Sequence, residues 1–201
     1  MIVAPANEAI SYIAKQYHIE PRINSPYVGE PRPELDDAWE SLLANTNIRL
    51  SQKDMEALDR DEGIALPDGG YLGIINAYHE LHCIKRLHHA LYPSHYFPNL
   101  SAKEQKMNLM HSEHCLDTLR QGIMCHGDTS LLTLKWVPWT KIPLANFSAP
   151  HQCVNWKKLD GWAGEHSVPR IFEKDYVVHP TLGPSFGGNG SAHLGVAVDQ
   201  S

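Results

Sequence analysis

The 201-residue chain has no basic excess: 17 Lys and Arg stand against 23 Asp and Glu, a net charge of −6 with histidine neutral. Nothing in that balance would neutralise a phosphate backbone, which excludes nucleic acid as a partner. No apolar run approaches the roughly 18 residues needed to cross a bilayer. Four cysteines at this length are too sparse for a disulfide-built miniprotein. The Gly-rich stretch at 183–190 lacks the Lys-Ser/Thr ending that makes a phosphate loop work. No internal repeat of solenoid length is present. What these absences leave is one domain's worth of chain, 42% hydrophobic and long enough to bury a core.

Histidine is in excess. There are 13, where ordinary usage would give about four or five. That points to metal or proton chemistry before any motif is read.

The periodicity of the first 33 residues predicts a short helix at Ala9–Tyr17 and then an extended lead-in, because Pro21, Pro26, Pro31 and Pro33 forbid regular structure. Asp36 to Leu43 predicts a helix with Trp39, Leu42 and Leu43 as its apolar face. Ser51 with Asp54 is an N-cap signal for a helix through about Arg60, and residues 67–70 predict a turn. Two longer helices follow. The first spans Tyr71 to Leu91. The second is announced by Ser101 and Glu104 and runs to about Cys125. Leu131 to Trp139 alternates like a strand. The last 35 or so residues, rich in Gly and Pro, predict a surface-wrapping or mobile tail. The expected fold is therefore mainly α, with two long facing helices, short helices, long Pro-rich loops and little β. The expected division is a lead-in at 1–33, a metal-binding catalytic domain at 34–163 and a tail at 164–201.

One five-residue word occurs twice, 32 residues apart. His79-Glu-Leu-His82-Cys83 lies in the first long helix and His111-Ser-Glu-His114-Cys115 in the second. Each residue advances about 100° around a helix, so positions i and i+3 project to one side. Two such helices side by side would gather four imidazoles, as helix bundles do when they build dimetal sites. On the wheel, Ile74, Ala77, Tyr78, Leu81, Ile84, Leu87 and Leu91 form the apolar arc of the first helix, with His79, His82, Arg86 and His89 in a stripe outside it. Leu109, Leu116, Leu119 and Ile123 form the arc of the second, with His111, His114, Thr118, Gln121 and Cys125 outside it. Gly122 would permit close approach of the helices. The expectation is that the apolar arcs face the core and the histidines form separate polar stripes.

Imidazole ligands suit copper, zinc, iron or nickel, and a nitrogen-rich site in an oxidising compartment narrows this to copper or zinc. Glu80, Glu113, Asp117 and Asp128 are candidate partners that fix imidazole tautomers. The i, i+3 spacing is one residue short of the His-Glu-x-x-His protease word, which disfavours a zinc protease. His89 and His126 are the best additional ligand candidates. His88, His95, His151, His166, His179 and His193 read as surface or packing residues. Cys83, Cys115, Cys125 and Cys153 permit three disulfide pairings. A Cys83–Cys115 bridge would clamp the two helices and leave Cys125 with Cys153. Three sequons, at Asn99, Asn146 and Asn189, tilt the compartment toward a secretory lumen and mark three glycosylation candidates.

The paired words resemble those of the UstYa-like proteins of fungal mycotoxin biosynthesis. Further agreement comes from Tyr27-Val-Gly-Glu-Pro31, Leu35-Asp-Asp-Ala-Trp39, Gly69-Gly-Tyr71, the run from His114 to Gln121, Cys125, Asp128 and Cys153. The resemblance covers roughly residues 25–162. It implies an oxidoreductase of secondary-metabolite biosynthesis, with one or two copper ions on His79, His82, His111 and His114, O2 as co-substrate and in some members a halide. The implied chemistry is C–H functionalisation through a radical step: oxidative cyclisation, hydroxylation, desaturation or halogenation. The implied substrate is a small-molecule or peptide natural product. Asp117 and Arg86 are the candidates for catalytic support. The resemblance further implies a lumenal domain anchored by an N-terminal transmembrane helix absent from this sequence. A dimer of like chains, or one with a related family member, is the partner expectation. The competing readings are a non-catalytic, metal-stabilised lumenal domain that binds a peptide, and a zinc hydrolase.

Overall fold

The computed structural model describes residues 4–17, 25–60 and 62–186. The sequon at Asn189 and His193 lie outside the described residues. After a 3-10 turn at Pro5–Ala9 come β1 (Tyr12–Gln16), α1 (Pro33–Leu43), β2 (Asn47–Leu50), α2 (Gln52–Ala57) and β3 (Tyr71–Ile74). Then follow α3 (Asn76–Leu91), α4 (Pro93–Tyr96), α5 (Ala102–His126), β4 (Thr133–Val137), β5 (Thr140–Asn146) and β6 (Pro150–Val154). The described chain closes with α6 (Trp156–Glu165), a 3-10 turn at Pro169–Phe172, β7 (Val178–His179) and β8 (Gly183–Pro184).

The expectation of a mainly α fold with little β is not met. The described residues are 46% helical and 21% strand, in eight strands, so the fold is mixed α/β. The strands pair two by two as antiparallel ribbons: β1 with β6, β2 with β3, β4 with β5 and β7 with β8. The strand read from the alternation of Leu131 to Trp139 is present as β4. The others are hard to read because of burial: all five residues of β1 are exposed, and β5 is exposed along most of its length. A ribbon wet on both faces need carry no apolar/polar alternation. β1 also replaces the helix expected at Ala9–Tyr17, because its partner, β6, lies at the far end of the chain. Likewise Tyr71–Ile74 forms β3 rather than the first turn of the long helix, pairing with β2 across Leu50 and Tyr71.

The capping signals hold. Ser51 caps α2 and Ser101 caps α5, each in a reciprocal box with the acidic residue three positions on. α5 stops at Gly127, which takes φ 47° and returns its N–H to the Ile123 carbonyl.

Two clusters of buried side chains hold the elements together. One joins Ala9, Ile48, Tyr78, Leu159, Trp162 and Ala163. Tyr78 has no exposed surface, and its hydroxyl donates to Asp160 Oδ1 at 2.5 Å, pinning the start of α3 to α6. The other cluster joins Leu66 to Val168, Ile171, Tyr176 and Val177. The segment expected to be a surface-wrapping or mobile tail thus places Val168, Ile171, Tyr176 and Val177 in a buried cluster, with Phe186 packed against it, while most of its other described residues are exposed. Its backbone also docks on β2, with Val168 N–H donating to the Asn47 carbonyl at 2.9 Å and Arg49 N–H to the His166 carbonyl at 2.8 Å.

The wheel assignment for α5 is inverted. Leu109, Leu116 and Ile123 are 60%, 58% and 73% exposed, whereas His111 and Cys115 are buried. The buried residues of α3 are Tyr78, Cys83, Arg86 and His88, while Ile84 and Leu91 are exposed. Between the two long helices the fully buried pair is Cys83 and Cys115, beside the histidines, while much of both apolar arcs stays exposed. Hydrophobic periodicity mispredicts this because it does not report which face meets the neighbouring helix.

Candidate metal centre

His79 and His82 on α3 meet His114 and His111 on α5. Ring centroids are 5.6 Å apart for His79–His114 and 5.8 Å for His82–His111. Along each helix they are 6.4 Å apart for His79–His82 and 6.3 Å for His111–His114. The lower-numbered histidine of one helix faces the higher-numbered histidine of the other, so the helices run antiparallel. The four residues picked from the sequence are brought together as expected.

The donor set fits a transition-metal ion. A metal–nitrogen bond of about 2.0–2.1 Å puts an imidazole centroid roughly 3 Å from the ion, so two rings sharing one ion stand up to about 6 Å apart. Each cross-helix pair meets that condition. Burial, reinforced by the neighbouring His111 and His79, lowers the pKa of His82 to about 4, so the free site presents it as a neutral imidazole. His114 Nε2 lies 3.5 Å from Thr118 Oγ1, one turn along α5.

A cysteine stands with two of the rings. Donor atoms of His79, Cys83 and His114 all fall within 4.8 Å of one another. Cys83 is fully buried; burial and a hydrogen bond with Cys115 push its thiol pKa up to about 12. The four cysteines are free thiols in the structure. Cys83 and Cys115 are neighbours, as the clamp pairing requires, whereas Cys153 Sγ lies 3.8 Å from Tyr17 Oη.

The quartet lines a cavity of about 960 Å³. Leu43, Ala44, Ile74, Met110 and Phe172 give it apolar walls, and Glu40 and Lys85 place one charge of each sign on it. Lys85 stands at i+3 from His82 and could have been found by extending the histidine stripe one turn. Phe172 sits in the segment taken for a tail, and no sequence signal marks it. A second cavity, of about 840 Å³, shares His79 and is lined by Glu80, Gln121, Cys125 and His126. Gly122 lies against Glu80, where a side chain would run into the carboxylate, consistent with the close approach expected at that position.

The two candidates for catalytic support lie elsewhere. Asp117 is exposed and held by Arg120 Nε at 2.7 Å and Gln121 Nε2 at 2.6 Å, and these contacts depress its pKa. Arg86 is buried, and neither residue is among those lining the large cavity. His89 stacks on Tyr96 with centroids 3.7 Å apart, away from the quartet. His151 hydrogen-bonds to Asp128 Oδ2 at 2.6 Å and stacks on Tyr17. Of the sequons, Asn99 is exposed and Asn146 is half-buried, its side-chain oxygen accepting from Ser148 Oγ at 2.9 Å.

This arrangement of paired imidazoles defines a His-rich candidate metal site, and comparison with known proteins gives the family of the chain. The family model described as "Mycotoxin biosynthesis protein UstYa" matches residues 1–166, so the chain belongs to the UstYa family. It is 32% identical over 151 residues to the UstYa family oxidase phomYb of Diaporthe leptostromiformis, covering 70% of this chain and 53% of that protein. It is 35% identical over 132 residues to the oxidase ustYa of Aspergillus flavus, covering 65% and 55%. It is 29% identical over 181 residues to a Talaromyces islandicus protein named transacylase cctO, covering 82% and 60%. The chain spans about half the length of the curated relatives it matches. No solved structure matches it. No described helix is long and apolar enough to cross a membrane.

Proposed function

We propose that the protein is a copper- and O2-dependent oxidase of fungal secondary-metabolite biosynthesis that functionalises a C–H bond of a peptide or other natural product. The observation that carries this reading is the facing pair of His-x-x-His words, four imidazoles in two cross-helix pairs opening onto one large, mainly apolar cavity. The names of the relatives support the oxidase part. Copper bound there would supply electron transfer to O2 and the oxidising power for hydrogen-atom removal from substrate.

This chain's residues do the rest. His79, His82, His111 and His114 hold the ion. Leu43, Ile74, Met110 and Phe172 shed water and grip an apolar part of the substrate. Glu40 and Lys85 orient polar parts of it. The relative named a transacylase raises acyl transfer as a competitor. The cavity's one hydroxyl side chain, on Thr46, is already donated to the Leu43 carbonyl at 2.6 Å, which favours oxidation. A lumenal, membrane-anchored setting, and a dimer with a like or related chain, complete the proposal.

The test is metal analysis with oxygen uptake. Copper should bind in preference to zinc, and O2 should be consumed in the presence of a reductant. His82→Ala and His114→Ala should each lower copper occupancy while the far-ultraviolet circular dichroism stays near wild type. Zinc preference with no O2 consumption would overturn the proposal in favour of a hydrolase or a structural metal site.

A further inference from the structure

Arg86 lies one turn beyond His82 and is only 4% exposed. Its Nε and Nη2 atoms are buried and have no hydrogen-bond partner. None of the ion pairs among the described residues includes it. A guanidinium does not deprotonate in a protein, so it cannot escape burial by becoming neutral. The face of Phe97 lies 4.2 Å from the guanidinium carbon, measured to the ring centroid, and Cys115 across the interface also acts favourably on it. A cation–π contact offsets only a small part of the cost of burying a charge.

A second orphan stands beside it. His89, one turn further on α3, packs near the same Phe97 ring and has a buried Nε2 with no partner. Across the helix pair, His111 faces His82, so Asn108, one turn before His111, comes at about the level of Arg86. Its side-chain oxygen is buried and unpartnered too. An amide can exchange its two ends and offer its NH2 there. Three polar groups left unsatisfied within one turn of one interface describe a missing ligand rather than three separate defects.

We propose that a small inorganic anion of chloride size binds between Arg86, His89 and α5, one turn from the histidine quartet. Arg86 is absent from the lining of the large cavity, so the group it awaits is a diffusible ion rather than a substrate carboxylate. The site depends only on protein side chains and stands whether or not the quartet takes copper. Its effect on the quartet would be electrostatic, setting a negative charge beside a cation that faces His82 from the next turn.

The experiment is thermal unfolding of the full chain at fixed ionic strength, with sodium gluconate progressively replaced by chloride or bromide. Wild type should show a saturable rise in melting temperature of about 3–6 °C. Arg86→Met should show none. Crystals grown in bromide should give an anomalous peak within hydrogen-bond reach of Arg86, which decides the matter if the variant does not fold. A flat wild-type response, or an equal rise in Arg86→Met, overturns the proposal. So does a rise seen only in Cys115→Ala, which would mean that a Cys115 thiolate is the native counter-charge.

Discussion

The Cys83 thiol meets Cys115 in a hydrogen bond across the α3–α5 interface, and neither residue exposes any surface. Each follows directly after a histidine of the quartet, so the two sulfurs sit behind the imidazoles and share their interface. Oxidation would join the helices at the level of the ligands. Non-reducing peptide mapping of protein from an oxidising compartment should recover a Cys83–Cys115 cross-link. Replacing both by serine should then lower stability by about 2–4 kcal/mol in urea titrations. A Cys83–Cys125 or Cys83–Cys153 linkage would sink this pairing.

Phe172 brings the C-terminal segment, anchored by the buried Val168 and Ile171 beside it, to the cavity wall. Phe172→Ala should raise the KM for an apolar substrate several-fold and leave metal occupancy unchanged. Ile171→Ala, one residue away in the core, should instead cost about 2–4 kcal/mol of stability. Equal KM effects from the two would mean that Phe172 does not touch substrate.

Gly70 takes φ +77°, and a Cβ there would lie 2.7 Å from the Leu50 carbonyl oxygen. Both the dihedral and the contact oppose any side chain. Gly70→Ala should destabilise the β2–β3 ribbon by about 1–3 kcal/mol, whereas Gly161→Ala, at a helical position with open space around it, should be neutral or slightly stabilising. Urea denaturation of the two variants side by side checks the contrast.

Burial lowers the pKa of His89 to about 4, with the positive charge of Lys85 adding to the shift. The unfolded chain therefore takes up a proton near pH 6.5 that the folded chain refuses until about pH 4. Unfolded protein is favoured as pH falls through that window, so stability should drop between pH 6.5 and 4 and then level off. His89→Gln should flatten this slope by about one proton's worth, measured as the pH dependence of the unfolding free energy in metal-free protein. An unchanged slope would place the shifted group elsewhere.

The parts of the molecule that were legible in the sequence are those whose signal is local. Ser101 and Glu104 announce α5 because a capping box is complete within four residues. His79 and His82 share a helix face because 3.6 residues make a turn. What could not be read depends on partners far along the chain. Tyr12–Gln16 is a strand only because Pro150–Val154 lies beside it. Val168 and Ile171 are core residues only because Leu66 waits for them. The inverted face of α5 has a different cause. Leu109, Leu116 and Ile123 obey the helical period but lose the inward position to His111 and Cys115, which meet α3.

The division between near and far partners also orders the assembly of the molecule. The quartet comes from two successive long helices joined by a short connection, a pairing with little loop to close. The β1–β6 ribbon and the docking of Ser167 on Ile48 must close most of the chain. Contacts of short sequence separation form first. On this ordering the imidazoles would come into register before Phe172 and the rest of the cavity wall arrive. An ion supplied to the nascent chain would then reach the four histidines from open water, before the wall is complete.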